Sequence, residues 1–468
     1  MTSGRTMEIN NKMSLEKSPP IELEDANAIG QSMYHLAEEL FPICRSITGN
    51  GVRETFSILS RELPSLQVHE VPTGTQCFDW TIPNEWNVDE AYIATTDGER
   101  VIDFQDNNLH LVSYSEPVDQ IVSRADLDAH LHSRPDLPEA VPYVTSYFRR
   151  NWGFCLSHNQ RQLLQDPNYQ VKIVSTLAPG SLTYADLVIP GETTEEILIS
   201  TYVCHPSMGN NETSGIVVAA QLARFVLGLA KRRYTYRFVF VPETIGAVAY
   251  LSRNLSDLKQ RVVAGFVQTC VGDDRNYSFM PSRKGNSLAD RVAKHVLEQV
   301  LRKPFLTYSF LNRGSDERQY CAPGVDLPVV SVMRSKYGTY PEYHTSLDNM
   351  DLISPAGLFG GYFANRRCLE CLETNETLKA TVNCEPFLSP RGLRPPLVNG
   401  VVMADWGRNV SNVLAYADGD MDLIAMADLF QLSIFDLLPT VQKLKECGLL
   451  VGSMPQAVIE DERSGVPL

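Results

Sequence analysis

From Tyr169 onward the chain alternates short apolar runs with longer amphipathic ones, and this rhythm constrains the fold more than any other feature. EEILISTYVC (195–204), YRFVFV (236–241), VVAGFVQTCV (262–271) and LPVVSVM (327–333) are almost unbroken in apolar residues, as strands covered on both faces must be. Between and after them come SGIVVAAQLARFVLGLA (214–230), AVAYLSRNL (247–255), NSLADRVAKHVLEQVL (286–301) and SPAGLFGGYFANRRCLECLE (354–373), whose apolar residues recur at helical spacing. Buried strands alternating with helices predict an α/β domain with a mostly parallel central sheet flanked by helices. In such sheets functional side chains gather beyond the carboxyl ends of the strands.

The rest of the chain is organised around that domain. Residues 1–25 are polar, without the apolar stretch of a secretory signal, and are read as a frayed tail. Two helical stretches between Ala26 and Leu63 flank CRSITGNG. From Phe78 to about Pro135 the pattern becomes short alternating strands, with AYIATT and RVIDF joined across an Asp-Gly as a hairpin. The domain expectation is therefore an α/β domain from 26–72 and 165–380, a β-rich insertion at 73–164, and a winged-helix-like domain at 385–468. Little chemistry is expected in the insertion, where His130 and His132 lack a companion cluster. MDLIAMADLF and SIFDLLPTVQKLKECGLLVG supply the two helices and wing of the last domain.

Charge and cysteine usage exclude several functions. The whole chain carries 41 basic and 56 acidic residues, a net of −15 before histidine. Residues 400–468 carry 4 Lys and Arg against 10 Asp and Glu. A reader of duplex DNA needs a basic face, so the winged helix is expected to pack or to contact protein, and no nucleic-acid partner is expected. No apolar run approaches the ~18 residues that span a bilayer, so no membrane partner is expected. Ten dilute, irregularly spaced cysteines fit reduced thiols in a cytoplasm. Cys368 and Cys371 lie one turn apart on a helix face and need no metal.

Four segments carry chemistry, each where a strand should end. STYVCHPSMGNNETSG brings His205, Asn210, Asn211 and Glu212; FVFVPETIG brings Glu243; VVAGFVQTCVGDD brings Cys270, Asp273 and Asp274; PEYHTSLDNMD brings His344. Two histidines and a carboxylate at neighbouring strand ends are a donor set for zinc with a position left open for water.

The run from Ser200 to Ser346 resembles the zinc aminopeptidase-like superfamily, which includes glutamate carboxypeptidase and glutaminyl cyclase. The resemblance rests on His205 followed by Asn211-Glu212-Thr213-Ser214-Gly215, on Glu243-Thr244-Ile245-Gly246, on Gly314-Ser315-Asp316 before Gly324 and Pro328, and on Tyr343-His344-Thr345 with Asp348. More closely, Leu40 to Thr55, HPSM (205–208), PETIG (242–246) and GSDERQY (314–320) are similar to a bacterial subgroup of peptidases with an inserted β-rich domain and a C-terminal winged helix.

The resemblance implies His205, Asn211 and His344 as metal ligands, with Glu212 as an alternative to Asn211, and Glu243 as the general base. Asp316 is implied to support the site or to contact substrate. Arg313, Arg318 and Arg334 lie in the same loops, and guanidinium forks match a substrate carboxylate; internal salt bridges are the other reading. Tyr343 and Tyr320 either line the pocket or pack. The family's bridging Asp is Asn211 here, its second Glu is Thr244, and its third-strand Asp falls near Cys270. One zinc ion is therefore expected, not two. The implied activity is metal-dependent hydrolysis of a small peptide or an aminoacylated metabolite. Single-zinc acyl transfer or cyclisation, and a non-catalytic binding or scaffold module, remain as alternatives.

Overall fold

The computed structural model describes residues 23–393 and 402–453. Most of the expected tail lies outside the described residues, as do the end of the expected winged-helix domain and part of the Pro- and Arg-containing connector before it. Leu23 to Asp25, at the tail's end, already belong to the first helix.

The central sheet has eight strands: β1 (Gln67–Pro72), β2 (Ser181–Ile189), β3 (Glu196–Tyr202), β4 (Thr235–Val241), β5 (Val262–Val267), β6 (Ser278–Met280), β7 (Leu306–Thr307) and β8 (Val329–Met333). Their order is β1-β2-β4-β3-β5-β8-β6-β7. The middle four, β4-β3-β5-β8, run parallel, while β1–β2, β2–β4 and β6–β8 pair antiparallel. The parallel part coincides with the four apolar runs, and β3 is buried throughout. Its helices are α1 (Leu23–Leu40), α2 (Asn50–Glu62), α3 (Ser214–Gly228), α4 (Ile245–Arg261), α5 (Leu288–His295) and α6 (Pro355–Thr374).

Successive strand residues face opposite sides, so the sheet divides two cores. Ile197, Ile199, Phe238, Phe240, Ala264 and Phe266 pack with α1, α2, α3 and α6 on one side. Leu198, Val239, Val241, Val267 and Val329 pack with α4 on the other. Gly215 is needed where α3 crosses the sheet: a Cβ there would stand 2.4 Å from the Gln268 carbonyl oxygen.

The insertion ends later than expected. Its sheet holds Glu85–Thr95, Arg100–Asp103, Val118–Ser123 and Asn168–Ala178, with the last strand paired to both the first and the third. The boundary near 165 therefore moves past Ala178. An alternating strand shows only that one face is covered, not which sheet supplies its partner, and this run pairs back into the insertion. The AYIATT–RVIDF hairpin is present.

The C-terminal part also begins earlier. Thr377–Ala380 pairs with Asp418–Asp422 and Leu450–Ser453. Around this sheet lie α7 (Val402–Tyr416), α8 (Leu423–Phe430) and α9 (Ile434–Glu446), a winged helix. Among the described residues no single helix is long and apolar enough to cross a membrane.

Candidate active site

The parallel strands end where the motifs predict, and the turns that follow are tight. Ser207, Thr244, Cys270 and His344 all hold positive φ, between 44° and 64°. For non-glycine residues this is costly backbone that surrounding structure must enforce, and it clusters at functional sites.

His205 follows β3 and is nearly inaccessible. Its Nδ1 lies 2.8 Å from Glu212 Oε2, which also accepts the amides of Cys204 (2.7 Å) and His205 (2.5 Å). A carboxylate there fixes the proton on Nδ1 and leaves Nε2 as the lone-pair nitrogen. Arg45, buried completely, closes the arrangement: its Nε donates to Glu212 Oε1 at 2.7 Å and to the His205 carbonyl at 3.0 Å. Burial pulls the His205 imidazole down, but the Glu212 hydrogen bond and charge outweigh it and the net shift is upward.

Glu243 follows β4, with its side chain 22% exposed and Oε2 3.9 Å from His205 Nε2. Burial raises its carboxyl above the ordinary range, against the opposing charges of His205 and Arg318. His344 sits 5.3 Å from His205, centroid to centroid. Its Nε2 is buried without a hydrogen-bond partner. Burial, with the nearby charge of His205, lowers its pKa to about 3, so the ring is neutral at neutral pH.

His205, Glu243 and His344 line one cavity of about 330 Å³, together with Ile47, Trp80, Tyr143, Thr145, Tyr147, Phe148, Cys204, Thr244, Ile245 and Arg318. Five of these residues, Trp80, Tyr143, Thr145, Tyr147 and Phe148, belong to the insertion, where little chemistry was expected. The insertion also pins the histidine loop, since the amide of Tyr143 donates to the His344 carbonyl at 2.9 Å and that of Ser346 to Val141 at 2.8 Å.

The remaining expected residues do not reach the cavity. Asn211 does not line it; its Oδ1 accepts the Tyr202 hydroxyl at 3.0 Å, and its amide nitrogen has no partner among the described residues. Asp316 is buried and accepts the Thr244 amide at 2.7 Å; burial and the charge of Glu243 hold its carboxyl well above the usual range. Arg334 donates to the Asp273 carbonyl at 2.7 Å and lies over Tyr277, and Arg313 lies over Phe310. Tyr343 stacks on His344 with 3.9 Å between centroids. Tyr320 packs beneath the sheet against Ser200. The arginine that does line the cavity is Arg318, which donates to Thr244 Oγ1. In the insertion, His130 stacks on Trp152 and bonds its carbonyl. Cys368 and Cys371 are buried free thiols on α6.

His205 and His344 can share one zinc ion, as two of the three protein ligands that a catalytic site takes. An imidazole centroid stands about 3 Å from an ion bound at ~2.0–2.1 Å, so two on one ion lie within about 6 Å of each other. The observed 5.3 Å satisfies this, and the orphaned His344 Nε2 and free His205 Nε2 supply the nitrogens. A second ion has no such set: Asn211 Oδ1 is engaged by Tyr202, Thr244 by Arg318, and burial keeps the Cys270 thiol protonated. Cys204, His205 and Glu212 also bring donor atoms within 4.8 Å of one another. That cluster holds His205 rather than a metal, because Glu212 Oε2 already accepts three N–H groups and burial keeps the Cys204 thiol protonated.

Fold and strand-end loops together define an aminopeptidase-like α/β protein with a C-terminal winged helix. Residues 34–375 match the family described as a domain of unknown function (DUF4910), and 376–452 match a winged helix-turn-helix; the chain belongs to the first family. A Clostridium acetobutylicum protein, "Putative polysaccharide biosynthesis protein with aminopeptidase-like domain", is 44% identical over 372 residues, 79% of this chain and 85% of that one. The crystal structure of a "putative peptidase" from Clostridium acetobutylicum superposes with a TM-score of 0.86 at 40% identity, covering 92% of this chain and 98% of the other. BSAP, a zinc aminopeptidase from Bacillus subtilis, shares the fold at a TM-score of 0.55 and 13% identity, over 74% and 94% of the two chains.

Proposed function

We propose that the protein is a metal-dependent amide hydrolase acting on a small peptide or an aminoacylated metabolite. The observation that carries this reading is the meeting of the lone-pair nitrogen of His205, the orphaned nitrogen of His344 and the raised carboxyl of Glu243 in one cavity. The aminopeptidase-like fold of its relatives supports it.

His205 and His344 would hold a zinc ion, which when bound supplies Lewis-acid polarisation of the substrate carbonyl. Glu243 takes a proton from the attacking water as its oxygen bonds to the carbonyl carbon. It then returns that proton to the nitrogen as the C–N bond breaks, releasing an acid and an amine. A base raised toward neutrality does both steps at physiological pH. Glu212 and Arg45 keep the His205 proton on Nδ1 throughout.

Elemental analysis of the purified chain and its variants tests the reading. About one zinc per chain is expected, lost in His205→Ala and in His344→Ala. Glu243→Gln should keep the ion and lose amide hydrolysis by at least ~100-fold. Zinc retained by both histidine variants would defeat the assignment of ligands.

A further inference from the structure

The cavity has a composition that the chemistry of amide cleavage does not require. From the mouth inward its rings follow one another without a gap. Trp80 meets Phe148 edge-on with centroids 5.7 Å apart, Phe148 lies 6.5 Å from Tyr147, and the Tyr147 and Tyr143 hydroxyls are 2.6 Å apart. Tyr143 then stands 5.1 Å from His205 and 5.2 Å from His344. Phe148 is 59% exposed, unusual for a ring with so little polar function. The two tyrosine hydroxyls bond each other and the rings meet edge to face, which leaves a largely apolar aromatic wall leading to the reacting centre.

The charges lining the cavity are equally specific. Among the described residues Glu243 is the one carboxylate lining the cavity, and the proposed mechanism needs it as a free base. Among the described residues Arg318 is the one arginine or lysine lining the cavity; it makes no ion pair within 4 Å, donates to Thr244 Oγ1, and its charge acts on Glu243 and Asp316. Of the other two arginines expected near the site, Arg334 donates to the Asp273 carbonyl and Arg313 lies over Phe310, and neither lines the cavity. A substrate ammonium would find only the base as counter-ion and would be repelled by Arg318. A carboxylate or phosphate would find a guanidinium with no salt-bridge partner, whose fork matches it, provided its anionic group sits away from Glu243.

We propose that the site takes an amide that carries an anionic group for Arg318 and a flat apolar group for the Trp80–Phe148–Tyr147 wall, in preference to an amide bearing a free amine. This rests on the amide-hydrolase reading above, and its test is arranged so that the two can fail separately.

The probes are N-benzoylglycine, its neutral N-methylamide, and glycine anilide, which keeps the ring and amide but presents an ammonium. Calorimetric binding to the zinc-loaded Glu243→Gln protein compares the first two without turnover. The acid should bind about tenfold more tightly than the N-methylamide, the scale of one charge-assisted pair at a partly exposed site. Adding Arg318→Gln should abolish that preference, and Arg318→Lys should restore part of it. Trp80→Ala should weaken both ligands alike. Competition on the wild-type protein, where Glu243 keeps its charge, should rank N-benzoylglycine above glycine anilide.

Equal affinities, a preference for the anilide, a preference that survives Arg318→Gln, or no binding at millimolar concentration would each overturn the proposal. If the preference holds and depends on Arg318 but the wild-type protein cleaves none of the probes, the hydrolase reading is the one that falls. Arg318 is an exposed side chain on the short helix Glu317–Tyr320, so Arg318→Gln should fold normally, as its near-ultraviolet circular dichroism will report.

Discussion

Glu212 shows how much one side chain can decide. It sits one place after the family's bridging-ligand position, and as sequence it reads as an alternative metal ligand. In the folded chain both its oxygens are consumed, one by Arg45 and the other by His205 and two backbone amides. Burying two charges is favourable only when every lone pair is met, and removing one partner strands the other. Arg45→Ala should therefore lower stability by about 3–5 kcal/mol in urea unfolding. A shift below ~1 kcal/mol would mean that the pair is solvated after all. Zinc affinity should also fall by about 10–100-fold, because an unheld imidazole loses its fixed tautomer. That His205, Glu243 and His344 share one cavity was legible in sequence because each comes after an apolar strand, whereas Asn211, expected beside them, does not line it. Arg45 was not legible, since its role depends on a fold that brings residues 167 positions apart into contact.

At the scale of elements, CRSITGNG turns out to be a joint between domains. Arg45 reaches the histidine loop, while the Ser46 and Thr48 hydroxyls bond Ser113 (2.9 Å) and Tyr114 (2.6 Å) of the insertion. Gly49, at φ 100°, leaves room for the Trp86 carbonyl, which a Cβ would approach to 2.3 Å. The strands and helices of the central domain were readable because their periodicity is local. The partner of Asn168–Ala178 and the cavity wall at Trp80 and Phe148 were not, because nothing local says which surface they will face. The winged helix is joined as firmly. The first residues of α9, which in DNA-binding relatives of this motif enter the major groove, are occupied here. The Ile434 amide donates to His295 Nε2 on α5 at 3.0 Å, and Arg367 lies over the Phe435 ring. With that end covered and an acidic surface around it, the full-length chain should not retard random duplex DNA at micromolar concentration and moderate salt. Salt-sensitive retardation would show that α9 can undock.

Across the whole molecule, each addition extends one of the two cores that the sheet divides. The winged helix continues the core beneath α3 and α6 through Val410, Leu423, Ile434 and Leu437. The insertion continues the other through Trp86, Ile93, Tyr114 and Phe154. The cavity lies at the seam on the insertion's side, so its shape depends on how firmly insertion and sheet are held together. Arg53 on α2 is central to that hold. Its guanidinium grips Glu85 on the insertion's first long strand at 2.7 and 2.8 Å, and Glu70 on β1 at 3.0 Å. The Arg53 hydrogen bonds lead in lowering the Glu85 carboxyl to about 2, despite partial burial, with the Ser181 amide and Asn87 adding to them. A carboxyl lowered by folding stabilises the native state above its unfolded pKa, and that contribution drains away as pH falls toward the folded value. The window runs from about pH 4.5 down to about 2. Because the pair is partly exposed, solvent screening limits its worth to about 1 kcal/mol. Arg53→Gln should accordingly cost about 1 kcal/mol in urea unfolding at pH 7, and the difference from wild type should shrink steadily below pH 4.5. A difference that stays constant down to pH 3 would mean that Arg53 acts through the packing of its stem and not through Glu85.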